Sequence, residues 1–166
     1  MKKVLISACL LGDKVRYDGQ SLFTSSRILK EWIDEGRVIS ICPEVSSGMS
    51  IPRAPAEISG GDGYDVLSGK IAVIENNGNI VTENFLRGAN NALALCKANE
   101  IDVAVLAEFS PSCGSSSVYS GDFSGTKING VGVTAALLTS NGIEVFSQHQ
   151  LNEANKRLTM ASLVNL

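Results

Sequence analysis

Short, unbroken apolar runs alternate along this chain with longer stretches in which apolar residues return every three or four positions. Residues 3–8, 37–41, 102–107 and 143–146 are the runs, and each predicts a strand. After its first residue the run D-V-A-V-L-A at 102–107 has no polar alternation, as expected for a strand covered on both faces of a parallel sheet. Residues 21–36 predict a helix, with Leu22, Leu29, Trp32 and Ile33 at helical spacing and Gly36 as its stop. Thr82 is placed to cap a second helix running to about Asn99, whose buried stripe is Phe85, Ala89, Leu93 and Cys96. Residues 131–140 predict a short helix ended by Asn141-Gly142, and residues 150–163 a terminal helix. Residues 64–67 and 71–74 flank Ser68-Gly69 and predict a β-hairpin.

This alternation predicts an α/β fold. A single domain over residues 1–166 would hold an open, mostly parallel four-stranded sheet with helices on both faces, plus the small hairpin. Two segments break the regularity. Residues 42–62 and 110–130 are rich in glycine, proline and polar side chains, and they follow the second and third strands. Loops longer than about 12–15 residues in a compact fold are usually functional.

The cysteines fall at these places. Cys9 follows the first strand, Cys42 the second, and Cys113 lies just beyond the third. Right-handed crossovers put all three strand ends on one edge, where open α/β sheets bind ligands. A lone cysteine is usually a small buried hydrophobe, and that is the reading for Cys96 on its apolar helix stripe. The joint placement of the other three predicts a shared site. A closed structural zinc site wants four ligands. Three thiolates leave a position open, which suits a cubane iron–sulfur cluster with one exposed iron, or a zinc with an open position.

Other polar groups gather in the same loops. Glu44, two residues after Cys42, is placed to act as a general acid or base. Ser110 and Ser112 flank Pro111 and either donate hydrogen bonds to a substrate or shape the turn. Arg16, Asp18 and Arg53 are the candidates for substrate binding. Arg16 suits an anionic or carbonyl group, Asp18-Gly19 also reads as an ordinary turn pair, and Arg53 divides between ligand contact and a salt bridge. Asp62 and Asp65 read as solvated residues near the hairpin. No Walker loop or G-x-G-x-x-G pattern is present, and Gly130-Val131-Gly132 is too short a signal to replace one.

Composition narrows the picture further. The 166 residues include 14 Lys and Arg against 17 Asp and Glu, a formal net charge of −3, with no long basic run. An extended nucleic-acid surface is therefore not expected. No stretch approaches the roughly 20 apolar residues of a membrane span, and the apolar residues before Cys9 fall short of the roughly 7–15 of a signal peptide. A cytoplasmic protein with reduced thiols is the expectation. The single histidine, His149, falls after the last strand and leaves a His-based metal site or catalytic triad poorly supplied. The sequence carries no heptad repeat or other assembly signal.

The motifs S-A-C-L-L-G, R-Y-D-G, C-P-E-V, P-R-A-P-A-E-I, S-P-S-C-G, F-S-G-T and G-V-T-A-A-L-L occur in this order. Together, from about residue 4 to 146, they resemble a widespread bacterial and archaeal family, the thiouracil desulfidases. The resemblance implies a 4Fe–4S cluster held by Cys9, Cys42 and Cys113 with one open iron. It also implies a catalytic glutamate, Glu44, and a catalytic serine, Ser110 or Ser112. Many relatives carry a further cysteine just before R-Y-D-G, where this chain has Val15. The implied partner is a small thiolated base such as 2-thiouracil, whose C=S becomes C=O as sulfide is released without net redox change. Competing readings are a cluster-binding redox or sulfur sensor, a metal-free cysteine hydrolase or transferase, and an interaction module. A sensor has no need of Glu44, and the hydrolase lacks an obvious histidine base.

Overall fold

The computed structural model describes residues 1–164. Four parallel strands form the main sheet: β1 (Val4–Ser7), β2 (Val38–Ile41), β5 (Val103–Leu106) and β8 (Glu144–Ser147), in the order β2-β1-β5-β8. Every residue of the two central strands is buried. Both faces are covered, because α1 (Arg27–Asp34) packs on α6 (Leu151–Val164), and α4 (Thr82–Ala98) packs on α5 (Val133–Ser140). The four predicted strands and the α/β architecture are thus present. The chain leaves β1 toward β2 and leaves β5 toward β8, so the direction of winding reverses between β1 and β5. That reversal opens a crevice at the carboxyl ends of the two central strands.

Local chemistry sets the element ends. The first helix begins at Arg27 rather than residue 21, because the Ser26 hydroxyl accepts the Leu29 N–H at 3.4 Å and caps it there. Its Trp32 is 1% exposed and donates Nε1–H to Asn155 Oδ1 at 3.1 Å, which ties α1 to α6. On the other face, Phe85, Ala89, Leu93 and Cys96 are buried as the helical spacing predicts.

The hairpin is elsewhere. Residues 64–67 lie in α3 (Gly63–Leu67), not in a strand. Asp62 accepts the Tyr64 N–H, Asp65 accepts the Asp62 N–H, both at 3.0 Å, and this reciprocal box starts a helix. The antiparallel pair is instead β3 (Ala56–Ile58) with β4 (Val73–Glu75), and α3 fills the connection. A second ribbon, β6 (Ser117–Tyr119) with β7 (Lys127–Asn129), organises the segment expected to be irregular. The long loop after β2 likewise holds a short helix, α2 (Pro43–Ser46). Among the described residues no helix is long and apolar enough to cross a membrane.

Candidate active site

Three strand tips deliver three thiols to one cavity. β1 continues into a 3-10 turn, Ala8–Leu11, that carries Cys9. β2 ends at Ile41, and Cys42 caps α2. β5 ends at Leu106, seven residues before Cys113. Cys9, Cys42 and Cys113 all line a cavity of about 700 Å³, with Glu44, Arg16 and Arg53 among its other walls. Cys96 lies outside it.

The thiols are held in their neutral form. Burial pushes Cys9 up to about 11, against a smaller opposing pull from the Arg16 guanidinium. Burial also raises Cys42, although the N–H groups of Val45 and Glu44 favour its thiolate. Cys113 is raised furthest of the three, by burial first, with the Ser7 hydroxyl favouring its thiolate. Such thiols ionise readily only beside a strong positive charge, which a metal centre supplies. Among the described residues no three His, Cys, Asp or Glu side chains converge as ligands of one ion. Three thiols lining a single roomy cavity, with a fourth cysteine outside it, suit a cluster held by three cysteines.

The wall around Cys113 is densely bonded. Ser110 Oγ accepts the N–H groups of Ser112 at 3.1 Å and Cys113 at 3.2 Å. Ser112 is not part of the cavity lining. It is 1% exposed and its hydroxyl pairs with Thr134 Oγ1 at 2.8 Å. Gly132 lies against this loop: a Cβ there would sit 2.4 Å from the Ser112 carbonyl oxygen and 2.7 Å from the Cys113 nitrogen. Behind the loop, Glu108 accepts the N–H groups of Ser115, Ser116 and Ser117 and both neighbouring serine hydroxyls, at 3.0–3.2 Å. Burial alone would raise the Glu108 carboxyl, but these bonds outweigh it and hold the group below its ordinary value.

The opposite wall is simpler. Arg53 Nε donates to Glu44 Oε2 at 2.7 Å, with Arg53 only 5% and Glu44 16% exposed. The same guanidinium donates Nη2–H to the Val15 carbonyl at 3.0 Å. That carbonyl also lies 3.8 Å from Cys42 Sγ. Gly88 of α4 permits close packing beneath, since a Cβ there would sit 2.4 Å from the Pro43 oxygen. Arg16 reaches the cavity, whereas Asp18 lies outside its lining and accepts the Gln20 N–H at 3.0 Å in its own turn.

Glu57, Glu108 and His149 also line the cavity, and the sequence reading placed none of them at the site. His149 follows β8, whose carboxyl end shares the rim with the other three strands. The topological rule that gathered the cysteines therefore applied to it as well. Glu108 carried a weaker signal, a glutamate followed closely by Ser115-Ser116-Ser117.

A parallel α/β fold with a thiol-lined cavity and an ion-paired carboxylate at its switch point defines a class of cofactor-dependent enzyme-like folds. Comparison gives the particular family. The profile of the 2-thiouracil desulfurase family matches residues 4–150, and the chain belongs to that family. It is 44% identical over 150 residues to the uncharacterized protein YbbK of Bacillus subtilis strain 168, covering 90% of this chain and 98% of that one. It is also similar to a solved structure of the [4Fe-4S]-dependent thiouracil desulfidase TudS. Identity there is 45% and the TM-score 0.89, over 96% of this chain and 99% of the other.

Proposed function

We propose that this chain removes sulfur from a thiolated nucleobase such as 2-thiouracil, replacing C=S by C=O with release of sulfide. Cys9, Cys42 and Cys113 would hold a 4Fe–4S cluster, and the observation that carries the reading is their meeting in one cavity with Glu44. When bound, the cluster supplies a Lewis-acidic iron that no protein thiolate occupies. Val15 lines the same cavity and offers no further thiol there.

The protein groups divide the remaining work. Arg53 fixes one oxygen of Glu44, and the other takes no hydrogen bond from a described residue. That free oxygen is the base for the water that attacks the ring carbon, and afterwards the source of the proton for the departing sulfur. Ser110 serves in preference to Ser112. It lines the cavity, and its oxygen already accepts two N–H groups, so its own hydrogen is available to the substrate. Arg16 adds positive charge on the Cys9 side.

Anaerobic reconstitution followed by incubation with 2-thiouracil should yield uracil and sulfide in equal amounts. A fully loaded cluster with no turnover on any thiolated base would remove this reading.

A further inference from the structure

Glu57 is the unassigned group in the cavity. It is 9% exposed and sits in β3, opposite Ile74 of β4. Its Oε1 accepts two backbone N–H groups, from Gly121 at 2.9 Å and Phe123 at 3.2 Å. Its Oε2 takes no hydrogen bond, and the residue has no cationic partner among the described residues. The other two cavity glutamates are occupied differently: Arg53 neutralises Glu44, and backbone and serine donors saturate Glu108. A carboxylate nine-tenths buried, with one oxygen fixed and the other open to the cavity, is placed to accept an N–H donor that arrives with a ligand.

The segment that fixes Glu57 also shapes the space beside it. Gly121 adopts φ +101°, and a Cβ there would meet the Ile58 oxygen at 2.3 Å, so this loop is pressed onto β3. Phe123 and Phe109 both hold left-handed backbone, at φ 57° and 69°, and both line the cavity. Non-glycine residues in that region are uncommon and gather at functional sites. Tyr119 adds a third ring to the lining. Lys127 Nζ sits 3.7 Å over the Phe109 ring, so Phe123, whose backbone N–H bonds Glu57, is the aromatic residue that adjoins the carboxylate.

We infer that Glu57 is a specificity-determining residue that accepts a ring N–H of the base within this cavity. This rests on the desulfurising reading and narrows it to rings with an unsubstituted N–H. Such rings place an N–H beside the thiocarbonyl, where a methyl or sugar on that nitrogen abolishes the bond.

The decisive variant is Glu57→Gln. The N–H groups of Gly121 and Phe123 require an acceptor, so they select the amide oxygen and turn the amide NH₂ toward the cavity. An acceptor becomes a donor at nearly constant shape. The test is equilibrium binding of uracil, 1-methyluracil and 3-methyluracil to cluster-loaded protein by calorimetry, beside 2-thiouracil turnover. Wild type should bind uracil at least about tenfold more tightly than one of the two methylated bases. Glu57→Gln should weaken uracil by a similar factor, leave that methylated base unchanged, and keep the thermal midpoint within a few degrees. Uracil binding and turnover that both survive Glu57→Gln overturn the assignment and leave the desulfurising reading intact. So does an equal loss for all three bases. A loaded wild type that neither binds these bases nor turns over any thiobase sinks both.

Discussion

Around Cys113 the cavity wall is bound from three sides, by Ser110, by the Glu108 network and by the Gly132 turn, whereas around Cys42 the Arg53 guanidinium links Glu44 to the Val15 carbonyl, and Arg87 and Asn91 of α4 tie down the end of α2. The first wall is built of backbone N–H groups satisfied within the loop and holds its shape without a ligand. The second couples structure to the proposed chemistry, because Arg53 grips both Glu44, the proposed base, and the carbonyl beside Cys42. Changes in the first wall away from Ser110 and Cys113 should therefore act through geometry and stability. Changes in the second should act on the reaction.

The largest expected effect is on cofactor retention. Cys113→Ser should lose most of its iron and sulfide, since even changes beyond the direct ligands lower metal affinity by about 10–100-fold. Cys96→Ala, altering an equally buried thiol outside the cavity, should keep full cluster content. Metal and sulfide analysis of anaerobically prepared protein decides between these outcomes. Equal loading of Cys113→Ser would dissolve the distinction between the two kinds of cysteine.

Next is Glu44→Gln, which keeps an acceptor for Arg53 but not a base. Turnover should fall by about 10²–10⁴-fold while cluster content stays at the wild-type level. A sensor that needs no carboxylate would show unchanged function in this variant.

Two glycines probe the walls sterically. Gly132 has φ −73°, so alanine suits its backbone and the cost of Gly132→Ala is the collision with Ser112 and Cys113. Gly88→Ala collides with Pro43 in the same way. Each should cost about 1–3 kcal/mol in denaturant unfolding. Cluster loading should fall in both, because each collision lies at or next to a cysteine-bearing turn.

The smallest effect belongs to Glu108. Its carboxyl sits below its ordinary value of 4.5 in the folded protein, so the unfolded chain binds the proton first as pH falls. The stability that it confers is complete above that value and is lost as pH drops through the lower, folded one. Glu108→Gln should cost about 1–2 kcal/mol at neutral pH and flatten the acid side of the stability profile. Chemical denaturation between pH 3 and 7 measures both.

The sheet was legible in the sequence because its strands are unbroken apolar runs, and residues 103–106 lie within the predicted 102–107. The gathering of Cys9, Cys42 and Cys113 at one cavity followed from the strand ends. Residues 64–67 misled, since Gly and Ser after a short apolar run suggest a turn between strands. The Asp62/Asp65 capping box was the better guide there. Glu57 was invisible for a different reason. Its setting lies in two N–H groups more than sixty positions away and in a cavity that tertiary packing creates. His149 was readable in principle, and was passed over because its distance along the chain was taken for distance in space.

The three thiols follow separate strands of a sheet whose neighbours are far apart in sequence. No excised peptide holds two of them at working distance, so the centre has no existence as a linear motif. Assembly of the parallel core must come before the inorganic cargo is received. Cluster content is in this sense an assay of global topology, and a chain that misregisters β1 against β5 would betray itself as colourless protein.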